Sequence, residues 1–215
     1  MTDARIHGCT DLPRPGRLSF DVLADDSTAL TQAMNVPAPR ILLGVSMGAG
    51  TALRLALRSQ NEVCGLVLIR PAWRHQPHPA NLAIFTSIAA LLSRYGPVAE
   101  VRFSGTAQYQ QIRAESPSTA ASLLAQFSKP VARQRVSRLT DMPASTPYRD
   151  PRDLSAISVP TLVIGAPNDP VHPLDVADEW ASLIPSATLR TITGRGAREP
   201  RSSIRGWEPN FLKAR

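Results

Sequence analysis

A serine set between two glycines, in Gly44-Val45-Ser46-Met47-Gly48, is the segment of this chain best suited to do chemistry. It follows the apolar run Ile41-Leu42-Leu43 and opens an Ala/Leu-rich segment from Ala49 to Leu57. That pattern predicts a strand, a sharp turn and a helix, with the serine hydroxyl projecting from the end of a sheet as a candidate nucleophile. Such a turn strains the serine backbone. It also brings the residues two before and two after the serine against neighbouring backbone, so small residues are expected at both Gly44 and Gly48. Met47 begins the following helix, and its N–H is a candidate donor to a developing oxyanion.

The other reactive side chains are sparse. The histidines are His7, His75, His78 and His172. His75 and His78 form an H-x-x-H in a proline-rich stretch; zinc ligation would want further ligands on a rigid element, so they read as surface-loop residues and no metal is expected. Cys9 and Cys64 make no disulfide framework, and Cys64 lies in an apolar run that predicts a buried thiol.

Around the serine, alternating elements come into view. A helix is predicted from about Phe20 to Met34, with Phe20, Leu23, Leu30 and Met34 near helical spacing and acidic residues in its first turns. Arg40 to Val45 reads as a strand and the helix after the turn as reaching about Ser59. Val63 to Ile69 is a continuous apolar run suited to a parallel strand covered on both faces. Residues 71–160 then carry no clear strand. Helical stretches are expected at Asn81–Tyr95, Thr106–Ala114, Pro117–Phe127 and Val131–Thr140, punctuated by prolines. Strand character returns at Thr161 to Gly165, followed by a helix at Leu174–Leu183 and a short strand at Ala187 to Ile192. This alternation predicts an α/β fold with a parallel sheet of about four strands, flanking helices and a helical insertion.

The bulk properties bound the rest. A chain of 215 residues, 43% hydrophobic and 19% charged, is long enough for one sizeable core. No run of apolar residues approaches the ~18 needed to span a membrane, and the first residues lack the apolar centre of a signal peptide, so a cytoplasmic location is the default. The net charge is +7, but the arginines are scattered, with no Lys/Arg-rich cluster and no interleaved aromatics. A nucleic-acid partner is therefore not expected, nor a membrane one. Oligomeric state is open.

Taken together, the chain resembles the α/β-hydrolase superfamily, in the form of a cap-containing serine hydrolase, across nearly its whole length. Asp3-Ala4-Arg5-Ile6-His7-Gly8 is similar to the D-x-R-G-H-G segment of many members, with Ile6 in place of a glycine. Leu43 to Ala49 resembles the turn that carries their nucleophile, and Val159-Pro160-Thr161 to Asp169-Pro170 resembles the strand and loop that present their triad acid. The resemblance implies a core of residues 1–70 and 158–215 with a helical cap at 71–157. It implies hydrolysis of a small ester, lactone or similar acyl substrate, with Ser46 as nucleophile, Asp169 as acid and Met47 as an oxyanion donor, and it requires no cofactor. The cap residues Leu82, Ile84, Phe85, Leu91 and Leu92 would line the pocket or, for most of them, form the core of the cap.

Two parts of the family pattern have no counterpart. No histidine follows the last strand, where Thr193-Gly194-Arg195-Gly196 stands. His172, three residues after Asp169 on the same loop, is read as poorly placed for a relay to Ser46 and as a structural residue. The strands and the second oxyanion donor that precede the Asp3–Gly8 segment in relatives are also not seen, which suggests an N-terminally truncated chain and leaves Ile41-Leu42-Leu43 as an exposed apolar edge. The sequence thus leaves two readings: a serine hydrolase, inactive if base and oxyanion hole are incomplete, or a non-catalytic relative that binds a ligand or protein partner.

Overall fold

A computed structural model describes residue 10, residues 17–128 and residues 135–192. Its centre is a parallel sheet of β1 (Arg40–Val45), β2 (Val63–Ile69), β3 (Thr161–Gly165) and β4 (Ala187–Thr191), hydrogen-bonded in that order. Each connection crosses over, as parallel strands require. Helix α1 (Phe20–Ala33) precedes β1, α2 (Met47–Arg58) joins β1 to β2, and α8 (Leu174–Leu183) joins β3 to β4. Between β2 and β3 the chain is helical among the described residues: α3 (Ala83–Tyr95), α4 (Ala99–Ser104), α5 (Ala107–Glu115), α6 (Pro117–Leu124) and α7 (Arg138–Ala144), with short 3-10 turns.

The strands read as apolar runs because both faces of the central pair are buried. Leu66, Leu68 and Val163 pack with Leu53 of α2 and with Val176 and Trp180 of α8. Val67, Ile69, Leu162 and Ile164 point the other way and form a second apolar cluster. The edge strand β1 differs. Ile41, Leu43 and Val45 keep 43%, 57% and 50% of their surface exposed, so the apolar edge expected from the sequence is present. A groove of about 840 Å³ runs along it between α1 and α2, lined by Leu23, Leu30, Ile41, Leu43 and Thr51 among others.

Local chemistry fixes the element boundaries. Ser19 caps α1 by accepting a hydrogen bond from the Val22 N–H at 3.2 Å, a contact of about 1 kcal/mol. Asp21 and Asp25 of α1 pair with Arg54 and Arg58 of α2. The helical region is tied to the core at several points. Asp141 Oδ2 accepts from the Leu18 N–H, Ser145 Oγ accepts from the Phe20 N–H, and Trp73 Nε1 donates to the Met142 carbonyl at 2.9 Å. Phe20 meets the Trp73 ring edge-on with centroids 5.1 Å apart.

Most predicted elements recur within a few residues. Three expectations need correction. The helix predicted at Val131–Thr140 is displaced: residues 131–134 lie outside the described residues, and α7 starts at Arg138 and continues through Pro143. Helix α4 was not anticipated; it follows a Gly96-Pro97 turn that breaks the apolar run after α3. Cys64 is half-buried rather than buried: it is the second residue of β2 and the one position of that strand that is not buried. The stretch Ala80–Ser104 is helical and apolar enough on average to cross a membrane. In the fold it bends at Gly96 and buries Leu82, Ile84, Ile88, Leu92 and Phe103 in the core of the helical region.

Candidate active site

The parallel register brings the C-terminal ends of three strands together. Val45 pairs with Ile69, and Ile69 with Ile164. The residues that leave these ends, Ser46, Arg70 and the loop after Gly165, therefore gather at one rim of the sheet, where open α/β sheets carry their sites. Asp3 to Gly8, with His7, and the Gly194 to Arg215 segment lie outside the described residues.

Ser46 sits on the expected sharp turn. Its φ of 54° and ψ of −115° lie in a region L-residues rarely adopt. Its N–H continues the ladder to the Ile69 carbonyl at 2.8 Å, and its own carbonyl accepts from Ala49 at 2.9 Å as α2 begins. Gly44 is needed for this turn: a Cβ there would lie 2.0 Å from the Gly48 carbonyl oxygen. Among the described residues Gly48 is not required in the same way, since a Cβ built on it meets none of their atoms within 4 Å. The expectation of a steric need at both positions therefore holds for Gly44 alone. Gly48 lines the groove beside β1, the edge strand of the sheet among the described residues. Met47 is the first residue of α2, so its N–H has no partner one turn earlier in the helix.

Asp169 and His172 lie on the loop between β3 and α8. Asn168 has φ 57°, which turns the chain sharply before Asp169. Asp169 is buried and well supplied with donors. Its Oδ1 accepts from the N–H groups of Val171 and His172, both at 3.2 Å, and from Thr119 Oγ1 of α6 at 3.3 Å. These bonds offset the desolvation of a buried carboxylate. Oδ2 lies 3.1 Å from His172 Nδ1 and pairs with the Arg70 guanidinium.

His172 Nε2 lies 2.8 Å from Ser46 Oγ. The sequence-based placement of His172 away from the serine is thus corrected. The two N–H bonds to Asp169 Oδ1 fold the loop tightly, so the side chains at 169 and 172 meet and the imidazole spans the distance to the serine. His172 is 8% exposed and Asp169 is 6% exposed, so both are held by packing. Two residues of this site were not singled out from sequence. Thr119 carries no local signal; only the fold brings α6 onto Asp169. Arg70 was legible in principle as a charged residue directly after a buried strand.

The remaining candidates are placed plainly. Leu82, Ile84 and Leu92 are core residues of the helical region, whereas Phe85 and Leu91 pack partly buried against it. Met47 packs against the same cluster, which also contains Val171, so this region adjoins the serine turn and the His172 loop. His75 lies beside the Tyr148 ring, with centroids 6.4 Å apart, and among the described residues no group of three or more potential metal ligands occurs. The groove along β1 includes Met47 and Gly48 but not Ser46, Asp169 or His172, so it marks the sheet edge among the described residues and not the serine site.

Residues 1–198 match the sequence profile of the family described as serine aminopeptidase, S33. Among solved structures, one described as Est816, an N-acyl homoserine lactone degrading enzyme, is 26% identical; the match covers 99% of this chain and 80% of that one, with a TM-score of 0.65. A thermophilic esterase from Thermogutta terrifontis is 22% identical over 99% of this chain and 78% of its own, with a TM-score of 0.66. The enol-lactonase from Burkholderia xenovorans LB400 is 21% identical over 99% and 76%, also at 0.66. No curated protein matches the chain.

Proposed function

We propose, for a chain that belongs to the serine aminopeptidase S33 family of α/β hydrolases, a serine hydrolase acting on small esters, lactones or similar acyl substrates. The observation that carries this reading is the run of contacts from Ser46 Oγ to His172 Nε2 at 2.8 Å and from His172 Nδ1 to Asp169 Oδ2 at 3.1 Å. A nucleophile, a base and an acid that orients the base are the parts acyl transfer needs.

In this reading Ser46 Oγ attacks the substrate carbonyl carbon as its proton passes to His172 Nε2. Asp169 holds the ring and stabilises the imidazolium that results. The carbonyl oxygen becomes an oxyanion near the Met47 N–H at the start of α2, where the helix dipole adds to the single donor. The intermediate collapses as His172 returns its proton to the leaving alcohol. Water, deprotonated by His172, then cleaves the acyl-enzyme. Residues 71–157 serve as the cap between core segments 1–70 and 158–215.

The lactonase and esterase descriptions of the structural neighbours support an ester-type substrate over an amide. The test is turnover of short p-nitrophenyl esters and an acyl lactone by the full chain, with Ser46→Ala as background. Hydrolysis lost in the variant is expected. Equal rates in both proteins, or no turnover of either class, would contradict the reading and leave ligand binding without catalysis as its replacement.

A further inference from the structure

Two donors converge on one oxygen of the acid. Asp169 Oδ2 lies 3.1 Å from His172 Nδ1 and pairs with Arg70 Nη2. A carboxylate oxygen has lone pairs enough to accept from both. With its proton on Nδ1, the ring presents the Nε2 lone pair to Ser46 Oγ at 2.8 Å. The tautomer this carboxylate selects is therefore the one a base needs, and Arg70 leaves it in place.

What Arg70 changes is the charge around the ring. Its Nη2 lies 3.1 Å from His172 Nδ1, as far away as the carboxylate oxygen is. An acid beside a histidine favours the imidazolium, and a cation beside it opposes that form. At equal distances the two effects largely offset each other. Burial then adds to the cation's side, since the His172 side chain is 8% exposed and a buried ring resists charging. The other described charges near the loop are engaged elsewhere or face solvent. Arg74 pairs with Asp175 and Glu179 at α8, and Asp178 on that helix is exposed. Helix α6 brings only the neutral Thr119 to Asp169, and Arg54 of α2 pairs with Asp21.

We propose that Arg70 is a positioning residue that keeps His172 neutral, and so able to take the Ser46 proton, to a lower pH than Asp169 and His172 alone would allow. Its consequence for rate rests on the hydrolase reading above; its effect on the ring does not. The backbone of Arg70 is itself held in place: its φ is 52°, and its N–H donates to the Ile164 carbonyl at 2.7 Å. The side chain is 13% exposed, beside an Asp169 side chain that is 4% exposed, so water screens the charges little. The cation is therefore built into the strand ends, next to the base.

The experiment is a pH titration of the histidine-labelled full chain by ¹⁵N NMR, with His172→Gln to assign the signal, alongside Arg70→Met and Arg70→Lys. In the native chain His172 should titrate below the ordinary histidine value of about 6.5. In Arg70→Met it should titrate roughly one unit or more higher, the size of a nearby-charge effect. In Arg70→Lys, which keeps the charge, it should move much less. The acid limb of fluorophosphonate labelling of Ser46 should move up with the ring in Arg70→Met. A native value at or above about 6.5 overturns the proposal, and so does an unchanged or lowered value in Arg70→Met. Equal shifts in the Met and Lys variants also overturn it, because they follow side-chain shape and not charge. If Arg70→Met does not fold, the native titration decides alone. A shifted ring without labelling of any of these proteins supports the role of Arg70 and counts instead against Ser46 as nucleophile.

Discussion

His172 Nε2 approaches Ser46 Oγ to 2.8 Å across 126 residues of sequence. That single contact sets an imidazole against the serine turn, where the proposed function needs a base. Replacing His172 by Gln keeps a polar group of similar reach but cannot take a proton. Ester turnover should fall by about 10²–10⁴, the contribution of a positioned general base. The circular dichroism spectrum and thermal midpoint should change little.

The two glycines of the turn should respond in opposite ways. Gly44→Ala puts a methyl group 2.0 Å from the Gly48 carbonyl and cannot be accommodated without moving backbone. A loss of roughly 3 kcal/mol or more is expected, at the upper end of overpacking costs, together with loss of Ser46 reactivity. Gly48→Ala meets open space at the start of α2. Its effect should lie between neutral and about 1 kcal/mol stabilising, from helix propensity. Denaturant unfolding of both variants checks the contrast.

Thr119 links the helical region to the acid. Thr119→Val keeps the shape but removes the hydrogen bond to Asp169 Oδ1. A cost of about 1 kcal/mol in unfolding free energy is expected. Because Val171 and His172 still donate to that oxygen, turnover should drop only a few-fold.

Tyr148 gives the fold a response to alkaline conditions. Burial pushes its hydroxyl up from 10.0 to about 12, against smaller opposing contributions from Trp180 and Arg74. The folded state thus favours the protonated phenol more than the unfolded chain does. Its contribution is complete below pH 10 and is lost as pH rises from 10 through about 12. Thermal midpoints should fall across this window in the native chain and fall less steeply in Tyr148→Phe.

Leu43, with more than half its surface exposed on edge strand β1, should promote self-association. Leu43→Lys should reduce concentration-dependent light scattering and shift the thermal midpoint by little.

Much of this was readable from residue pattern. The apolar run Val63 to Ile69 is β2 to the residue, because a strand buried on both faces leaves no polar side chain to blur its ends. The serine turn was equally clear, since strand, glycine and helix signals agree there. The site was only half legible. Asp169 was marked by its resemblance to the family's strand and loop that present the acid, but His172 was discounted because it lies only three residues away on the same loop, which read as poorly placed for a relay to Ser46. The fold of that loop depends on backbone N–H groups bonding to Asp169 Oδ1, which no side-chain pattern reports. Thr119 and Arg70 reach the acid only through tertiary packing. Three of the four helical stretches expected between β2 and β3 lie close to α3, α5 and α6, but α4 was missed, because the Gly96-Pro97 turn ends one helix and begins another within a single apolar stretch.

The most direct test of the central claim is fluorophosphonate labelling of the folded full chain, read by intact mass, with Ser46→Ala alongside. A single adduct on the native chain that is absent from the variant is the result this account predicts. A folded native chain that takes up no adduct, or an adduct that persists in Ser46→Ala, would contradict it.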